Sequence, residues 1–348
     1  MRSKAIERSE PREFETPPRD VPAGEARLPL EPMDPQLTSI QPGGGVVIRL
    51  ELAWGVLRRW YLKTFRPGYV SRMRILRHGE GEGCPHEVLD PRDLKFHRNQ
   101  ETFSWGEADD PFGWRDRLPF ARAGLAELIV FSVATFGGAA AFSLLASWLR
   151  AGSGLSRAAW LGAAALAVIG GLIVWFFRDP RRTIPQGEGL VISPADGTVV
   201  LIEEIEHDEF VGGPAVVIGI FLSIFNVHIN RSPIRGRVIG LRYRPGKCLN
   251  ALRPESAREN EQLAVRIEGN DPPHRRMIVR QITGALARRI VCWLKPGDEL
   301  AAGEQFGMIK LGSRTELVLP RDAGLTVRTK LGEKVRAGGC VLAEYEKR

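Results

Sequence analysis

Cysteine is scarce and unpatterned in this chain. Its four cysteines, Cys84, Cys248, Cys292 and Cys340, are scattered over 348 residues without a CxxC pair. That spacing excludes a disulfide scaffold and a zinc ribbon, and it fits a reducing compartment. Cys84 and His86, with His78 and His97, are the only grouping of ligand-type residues. They lack the repeat spacing of a structural zinc site, so no metal is expected. The opening is also deficient: Met1 to Asp20 is charged and proline-rich, with no continuous apolar segment of the kind a secretory signal needs. No nucleic-acid-binding motif accompanies the basic balance. Charge is nearly missing from one region only. Residues 124–149 hold a single acid, Glu127, and residues 158–177 hold no charge at all.

That region organises the rest. Each apolar run approaches the ~20 residues a helix needs to cross the hydrocarbon of a bilayer. The linker between them, Arg150 to Arg157, is short, which predicts a helical hairpin with both ends on one side. Arg115, Arg117 and Arg122 precede the pair and Arg178, Arg181 and Arg182 follow it, whereas the linker holds only Arg150 and Arg157. Excess cations on the flanks place them, and whatever follows, on the cytoplasmic face of the cell membrane. The net charge of +8 suits an anionic leaflet. The alternative, a buried hairpin in a soluble core, fits the length and the lack of interior charge less well. Residues 1–45 read as a disordered, Pro- and charge-rich tail ending in Gln41-Pro42-Gly43-Gly44-Gly45. Residues 46–120 form an extension of unknown role, which opens with helical spacing from Val46 to Phe65. The hairpin occupies 121–178.

From Leu190 the texture becomes β. Short runs rich in β-branched residues are punctuated by glycine and proline: Leu190 to Glu203, Ala215 to Phe221, Gly236 to Tyr243, Leu263 to Ile267, Met277 to Thr283 and Ala287 to Leu294, then Gly303 to Leu319 and Leu325 to Tyr345. This predicts a mainly β, barrel-sandwich-like domain over 179–348. Lys295-Pro-Gly-Asp-Glu-Leu is echoed by Leu331-Gly-Glu-Lys-Val, a repeated turn-and-strand unit.

Three segments in the β domain stand out. The first is Phe176-Phe-Arg-Asp-Pro-Arg-Arg with Ile192-Ser-Pro-Ala-Asp196-Gly-Thr-Val. The second is Phe221-Leu-Ser-Ile-Phe-Asn226-Val-His228-Ile-Asn230-Arg231-Ser-Pro233. The third is Phe306-Gly-Met-Ile-Lys-Leu-Gly312-Ser313-Arg314. Singly they read as an ordinary turn, a core histidine and another turn. In this order and spacing, over about residues 120–348, they resemble the phosphatidylserine decarboxylase family, and most closely its short form with an N-terminal membrane hairpin. Asn250 with Glu259-Asn260-Glu261 resembles the loop that follows the second segment. Some members have Gly-Ser-Thr where this chain has Gly312-Ser313-Arg314. Long-form members carry a second histidine where this chain has Arg231, so the histidine role falls on His228.

The resemblance implies a lyase that turns phosphatidylserine in the membrane into phosphatidylethanolamine. It implies cleavage of the chain between Gly312 and Ser313 into α and β chains that stay associated, and a pyruvate (pyruvoyl) cofactor made from Ser313. Whether the chain self-associates is left open. The residue types suit that chemistry. Removing a carboxylate from an amino acid leaves a carbanion that needs an electron sink, and a pyruvoyl group is one. To form it, the Ser313 hydroxyl attacks the Gly312 carbonyl and needs a base, the task of an Asp-oriented histidine. His228 is the candidate base, with Asp196 orienting it. Glycine at 312 would both clear the path of attack and tolerate unusual backbone angles. The rival reading is a carrier domain displaying Lys310 for biotinyl or lipoyl attachment; it has no use for Asp196 or His228.

Overall fold

The computed structural model describes residues 27–37, 39–42, 45–78, 104–105, 112–251, 253, 255–285, 289–310 and 312–346. Helix α1 spans Val46–Phe65 and α2 spans Pro67–Ile75. A two-residue pair joins β1 (Arg77–His78) to β2 (Ser104–Trp105). The apolar hairpin follows, with a first arm at Leu125–Trp148 and a second at Gly154–Phe176. Both arms are long and apolar enough to cross a membrane. The second arm starts inside the stretch read as linker, because Ser153 caps it by accepting from the Ser156 N–H at 3.1 Å. Where the hairpin joins the β domain its two ends are tied together. Ala121 donates to the Phe177 carbonyl and Asp179 to the Pro119 carbonyl, each at 2.8 Å.

The remainder is mainly β, as the run lengths and punctuation predict. The strands are β3 (Leu190–Ile192), β4 (Gly197–Asp208), β5 (Gly213–Leu222), β6 (Ile229–Arg231), β7 (Gly236–Arg244), β8 (Gln262–Gly269) and β9 (Arg276–Ile282). They continue with β10 (Arg289–Cys292), β11 (Glu299–Leu300), β12 (Gln305–Lys310), β13 (Ser313–Pro320), β14 (Leu325–Val327), β15 (Lys334–Val335) and β16 (Val341–Tyr345). Eight form one curled antiparallel sheet in the order β11-β7-β8-β9-β13-β5-β4-β15. Two three-stranded sheets, β10-β12-β6 and β14-β16-β3, complete the domain. The repeated turn-and-strand units become β11 and β15, the two-residue strands at opposite edges of the large sheet.

The core explains the strand positions. β13 is buried at seven successive positions, Ser313 to Leu319, and β5 at six, Ala215 to Ile220, so both faces of these central strands are covered. Ile218, Ile220, Leu222, Leu263, Ile267 and Leu317 are fully buried, each contributing about 1.5–3 kcal/mol through burial. A second cluster glues the hairpin to the β domain: Phe176 and Phe177 pack with Ile40, Val227, Ile229 and Met308.

The expectation of a disordered tail through residue 45 is corrected over its later part; residues 1–26 lie outside the described residues. Over residues 28–37 and 39–41 the chain is a strap along the large sheet. Glu31 donates its N–H to the Ile239 carbonyl and pairs with Arg266, while the Asp34 carboxylate accepts from the Tyr243 N–H at 2.8 Å. Leu37 and Ile40 are buried. Prolines at 29, 32, 35 and 42 forbid helix but suit an extended strap, and these few apolar side chains suffice to pin it.

Candidate active site

The three sequence segments converge on a buried polar network. Asn230 in β6 is fully buried; its amide donates to the Thr315 hydroxyl at 3.0 Å and the Pro194 carbonyl at 3.3 Å, and its carbonyl accepts from Gln281 at 2.9 Å. One side chain therefore bridges the Asp196 turn, the His228 strand and the strand that begins at Ser313. Arg231, one residue on, donates to the Gly303 carbonyl and to Asp179, so it ties the first segment to the turn before β12.

Ser313 is the first residue of β13, paired opposite Leu222. Its Oγ is buried and has no hydrogen-bond partner among the described residues. Such an orphan carries a desolvation cost that structures seldom tolerate without a use. Gly312 sits at a φ of 62°, the left-handed region that favours glycine. Apart from its two chain neighbours, a Cβ on Gly312 would meet no described residue within 4 Å. The glycine is thus favoured by its backbone angle. The crowding comes from the other side of the peptide. A Cβ on Gly284 would lie 1.7 Å from the Gly312 carbonyl oxygen, so the absence of a side chain at 284 is what lets that carbonyl sit where it does.

His228 lies just before β6 and is fully buried. Its Nδ1 is 2.9 Å from the Asn226 carbonyl. A carbonyl only accepts, so Nδ1 carries the proton and Nε2 presents its lone pair. Nε2 too is buried without a partner among the described residues. Burial lowers the imidazole from 6.5 to about 4, against the hydrogen bond to Asn226, which raises it, and the Arg178 charge, which lowers it. The ring is held against Phe176 with centroids 4.5 Å apart. Asn226 is itself fixed, its side-chain carbonyl accepting from both the N–H and the hydroxyl of Ser223.

Asp196 does not orient His228. Its carboxylate accepts from Arg182 at 2.7 Å and from the Ala337 N–H at 2.7 Å. The expected Asp–His couple is corrected on this point: the group holding the imidazole is the Asn226 carbonyl. Arg178 and Arg182, expected as flank charges, are also engaged here, Arg178 with the Phe225 carbonyl at 2.9 Å and Arg182 with Asp196. Lys310 is buried and paired with Glu127 and Gln41. A carrier lysine must reach solvent, so the carrier reading fails. Among the described residues no cluster of metal-ligating side chains occurs. Cys84, His86 and His97 lie outside them.

Residues 169–343 match the family model described as phosphatidylserine decarboxylase. The chain is 49% identical over 253 residues to the phosphatidylserine decarboxylase proenzyme of Rhodopirellula baltica, covering 73% of this chain and 99% of that one. It is 46% identical over 183 residues to the proenzyme of that name from Symbiobacterium thermophilum, covering 53% of this chain and 83% of the relative. The corresponding Syntrophus aciditrophicus proenzyme is 38% identical over 226 residues, 65% of this chain and 97% of the relative.

The chain belongs to the phosphatidylserine decarboxylase family. Membership gives the orphaned atoms of Ser313 and His228 a context, since both lie within the matched segment, as do Asp196, Gly284 and Gly312. It leaves the strap and α1 outside the family model. The sequence singles out Ser313, Gly312, His228 and Asp196 but not Gly284, whose one signal is a glycine just past the end of a strand. Nor does it reveal the roles of Asn226, Asn230 and Arg182, although all three stand in the quoted segments.

Proposed function

We propose that this chain decarboxylates phosphatidylserine to phosphatidylethanolamine with a pyruvoyl group that it makes from Ser313 by cutting itself between Gly312 and Ser313. The junction itself carries the reading. A buried, unpartnered hydroxyl follows a glycine in left-handed backbone, and the carbonyl between them is backed by a residue with no side chain.

In the cleavage, Ser313 Oγ attacks the Gly312 carbonyl carbon as His228 Nε2 takes the hydroxyl proton, the standard activation of a weak nucleophile. The acyl group moves from nitrogen to oxygen, giving an ester and a free amine on residue 313. Loss of the Ser313 α-proton then expels the Gly312 carboxylate and leaves a dehydroalanine. Water replaces its nitrogen, ammonia departs, and a ketone remains at the head of the small chain. Neither Ser313 Oγ nor His228 Nε2 is hydrogen-bonded in the structure, so the base engages the hydroxyl after a small readjustment, as catalytic contacts often do. Asn226 keeps Nε2 unprotonated for this step.

In turnover, the pyruvoyl group supplies an electron sink for the pair left behind by the departing carboxylate. His228 is the proton carrier at that stage as well. Its low basicity makes its protonated form a strong acid, suited to delivering a proton to carbon.

The two apolar arms anchor the enzyme in the cell membrane with the decarboxylase domain, residues 179–348, on the cytoplasmic face, because more cations flank the hairpin than sit in its linker. The hairpin takes residues 121–178, the extension 46–120, and the residues before it the tail and strap. The cut chains stay together, since the small chain opens with a central strand of the large sheet.

Intact-mass analysis of the purified protein beside a Ser313→Ala variant tests the proposal. Two fragments, the smaller beginning in a reducible ketone, are expected for the former and one chain for the latter. One chain in both would overturn self-processing.

A further inference from the structure

Helix α1 turns an apolar face outward, the reverse of a helix on the surface of a soluble domain. Its inward face holds Ile48 and Gly55, which are buried, and Glu51, Arg58 and Arg59, which are half-buried. Arg58 stacks on Phe112 at 5.1 Å, and Leu62 packs with Met73 of α2. The opposite face carries Val46, Leu50, Trp54, Leu57, Tyr61 and Phe65, at the three- and four-residue spacing of one helical stripe. All six are about half exposed or more, Trp54 at 65% and Phe65 at 60%. Trp60 widens the stripe, and its ring and that of Tyr61 both pack on Phe65. Thr64, on the same face, donates its hydroxyl to the Trp60 carbonyl, so its polar atom is satisfied within the helix. A contiguous apolar surface of this kind marks a place of contact.

The position of α1 indicates what covers that face. Val46 and Ile48 wall the same cavity as Phe131 of the first arm and Leu172 and Trp175 of the second. Those residues lie in the turns of each arm nearest the β domain, Phe131 about 9 Å from the start of its arm at 1.5 Å per residue. Trp175 is half exposed, and the Arg178 guanidinium lies over its ring at 4.0 Å. Phe225, whose carbonyl accepts from the Trp175 indole, is exposed beside it. Tryptophan and arginine together are typical of the level where a helix leaves the hydrocarbon. Helix α1 therefore begins at the depth where a spanning hairpin meets the headgroups. It is unsuited to crossing the bilayer itself, because Arg49, Glu51, Arg58, Arg59 and Lys63 are spread along its 20 residues.

We propose that α1 is an in-plane membrane helix, a third bilayer contact beside the two arms, with its outward stripe sunk at the boundary between headgroups and acyl chains on the domain side. The stripe runs the whole helix, about 30 Å at 1.5 Å per residue. It is broader than the two-position seam a second copy would need for a coiled coil, and its tryptophans and tyrosine suit a lipid interface. The helix is also tied to the candidate site. Gln41, shortly before Val46, accepts from Lys310, and Ile40 packs in the cluster of Phe176, Phe177 and Met308. Contact of α1 with lipid would thus hold the small β10-β12-β6 sheet at the bilayer surface. This gives a role to a segment that lies outside the family model, which begins at residue 169. It rests on the reading of the hairpin as membrane-spanning.

The test uses the full-length protein in phosphatidylcholine vesicles and two photoactivatable phosphatidylcholines. One carries a diazirine at the glycerol end of an acyl chain, the other at the methyl end. After irradiation and peptide mapping, the glycerol-end probe should label Trp54, Leu57 and Tyr61. The methyl-end probe should label the middle of the arms, from Val133 to Phe142 and from Leu161 to Val168, and spare α1. Trp54→Glu, Leu57→Glu and Tyr61→Glu combined should cut the labelling of α1 about tenfold, the scale of removing buried apolar side chains. Labelling of the arms and the thermal midpoint in detergent should stay unchanged. Should that variant fail to fold, the labelling of the unsubstituted protein still decides. Arms labelled with α1 bare, or α1 labelled equally by both probes, would overturn the in-plane helix. A cross-link between two α1 helices without lipid label would give the face to a second copy instead. Arms and α1 both bare would defeat the membrane-spanning reading of the hairpin, and the inference with it.

Discussion

Lys310 and Glu127 form an ion pair inside the protein, each side chain a tenth or less exposed, joining the last residue of β12 to the first turn of the hairpin. Gln41 in the strap accepts from the same ammonium at 3.2 Å. Three distant parts of the chain therefore meet two residues before Gly312. Breaking one side of a buried pair leaves an uncompensated charge, at a cost of about 3–5 kcal/mol. Lys310→Met or Glu127→Gln alone should lower the thermal unfolding midpoint of the detergent-solubilised protein markedly. Lys310→Met combined with Glu127→Leu should restore most of it. Equal losses in single and double variants would mean the pair contributes only packing.

Gly284 makes a sharper prediction. Its Cα faces the Gly312 carbonyl so closely that a methyl group would collide with the oxygen. Gly284→Ala should leave the chain uncut, or slow cutting by at least about a hundredfold, the scale of a misplaced reacting group. Alanine at Gly269, where an added Cβ would stand 3.4 Å from its nearest neighbour, should be cut normally. Gel analysis of fresh protein over time distinguishes the two.

His228 should impose a particular pH dependence. Its folded-state value of about 4 lies below the ordinary 6.5, so between those limits the unfolded chain binds more protons than the folded one. Stability should be flat above about pH 6.5 and fall as the pH is lowered toward 4, by about 3 kcal/mol at most. The proposed self-cleavage, which would need the neutral ring, should hold its rate down to about pH 5, below the point where an unshifted histidine would fail. Denaturant titrations at several pH values, repeated on His228→Gln, would check the first point, because that variant should lose this part of the slope.

Asp196 should matter for cohesion. It stands before the proposed cut, and Ala337, from whose N–H it accepts at 2.7 Å, stands after it. Asp196→Ala removes this bond and the Arg182 pair, and it should lower the denaturant concentration at which the small chain separates from the large one. Asp196→Asn keeps an acceptor for Ala337 and should sit between the two. Size-exclusion chromatography in increasing urea would resolve them.

Much of this was legible in the residues. Runs of uncharged residues on either side of Arg150 to Arg157 told of two long helices, and period and punctuation told of strands. Gly312-Ser313 and His228 stood out by their spacing. What was not legible depended on the third dimension. Asp196 and His228 are both buried and both in the quoted segments, so their types invited a couple. Only the fold reveals that Arg182 and Ala337 claim one and Asn226 the other. Leu28 to Gln41 looked like tail because its apolar residues are sparse, and a strap needs no more than Leu37 and Ile40 to be pinned. Gly284 gains its meaning from a carbonyl 28 positions later.

The place of β13 in the large sheet has a consequence for the life of the enzyme. It is flanked on one side by β9 and on the other by β5, and it is buried along seven positions. The reactive group proposed at its first residue could not be withdrawn, exchanged or reloaded without opening the sheet from its middle. Each molecule would then be charged only once. Any chemical damage to that group would retire the whole protein, so the cell could renew the activity only by synthesising new chains.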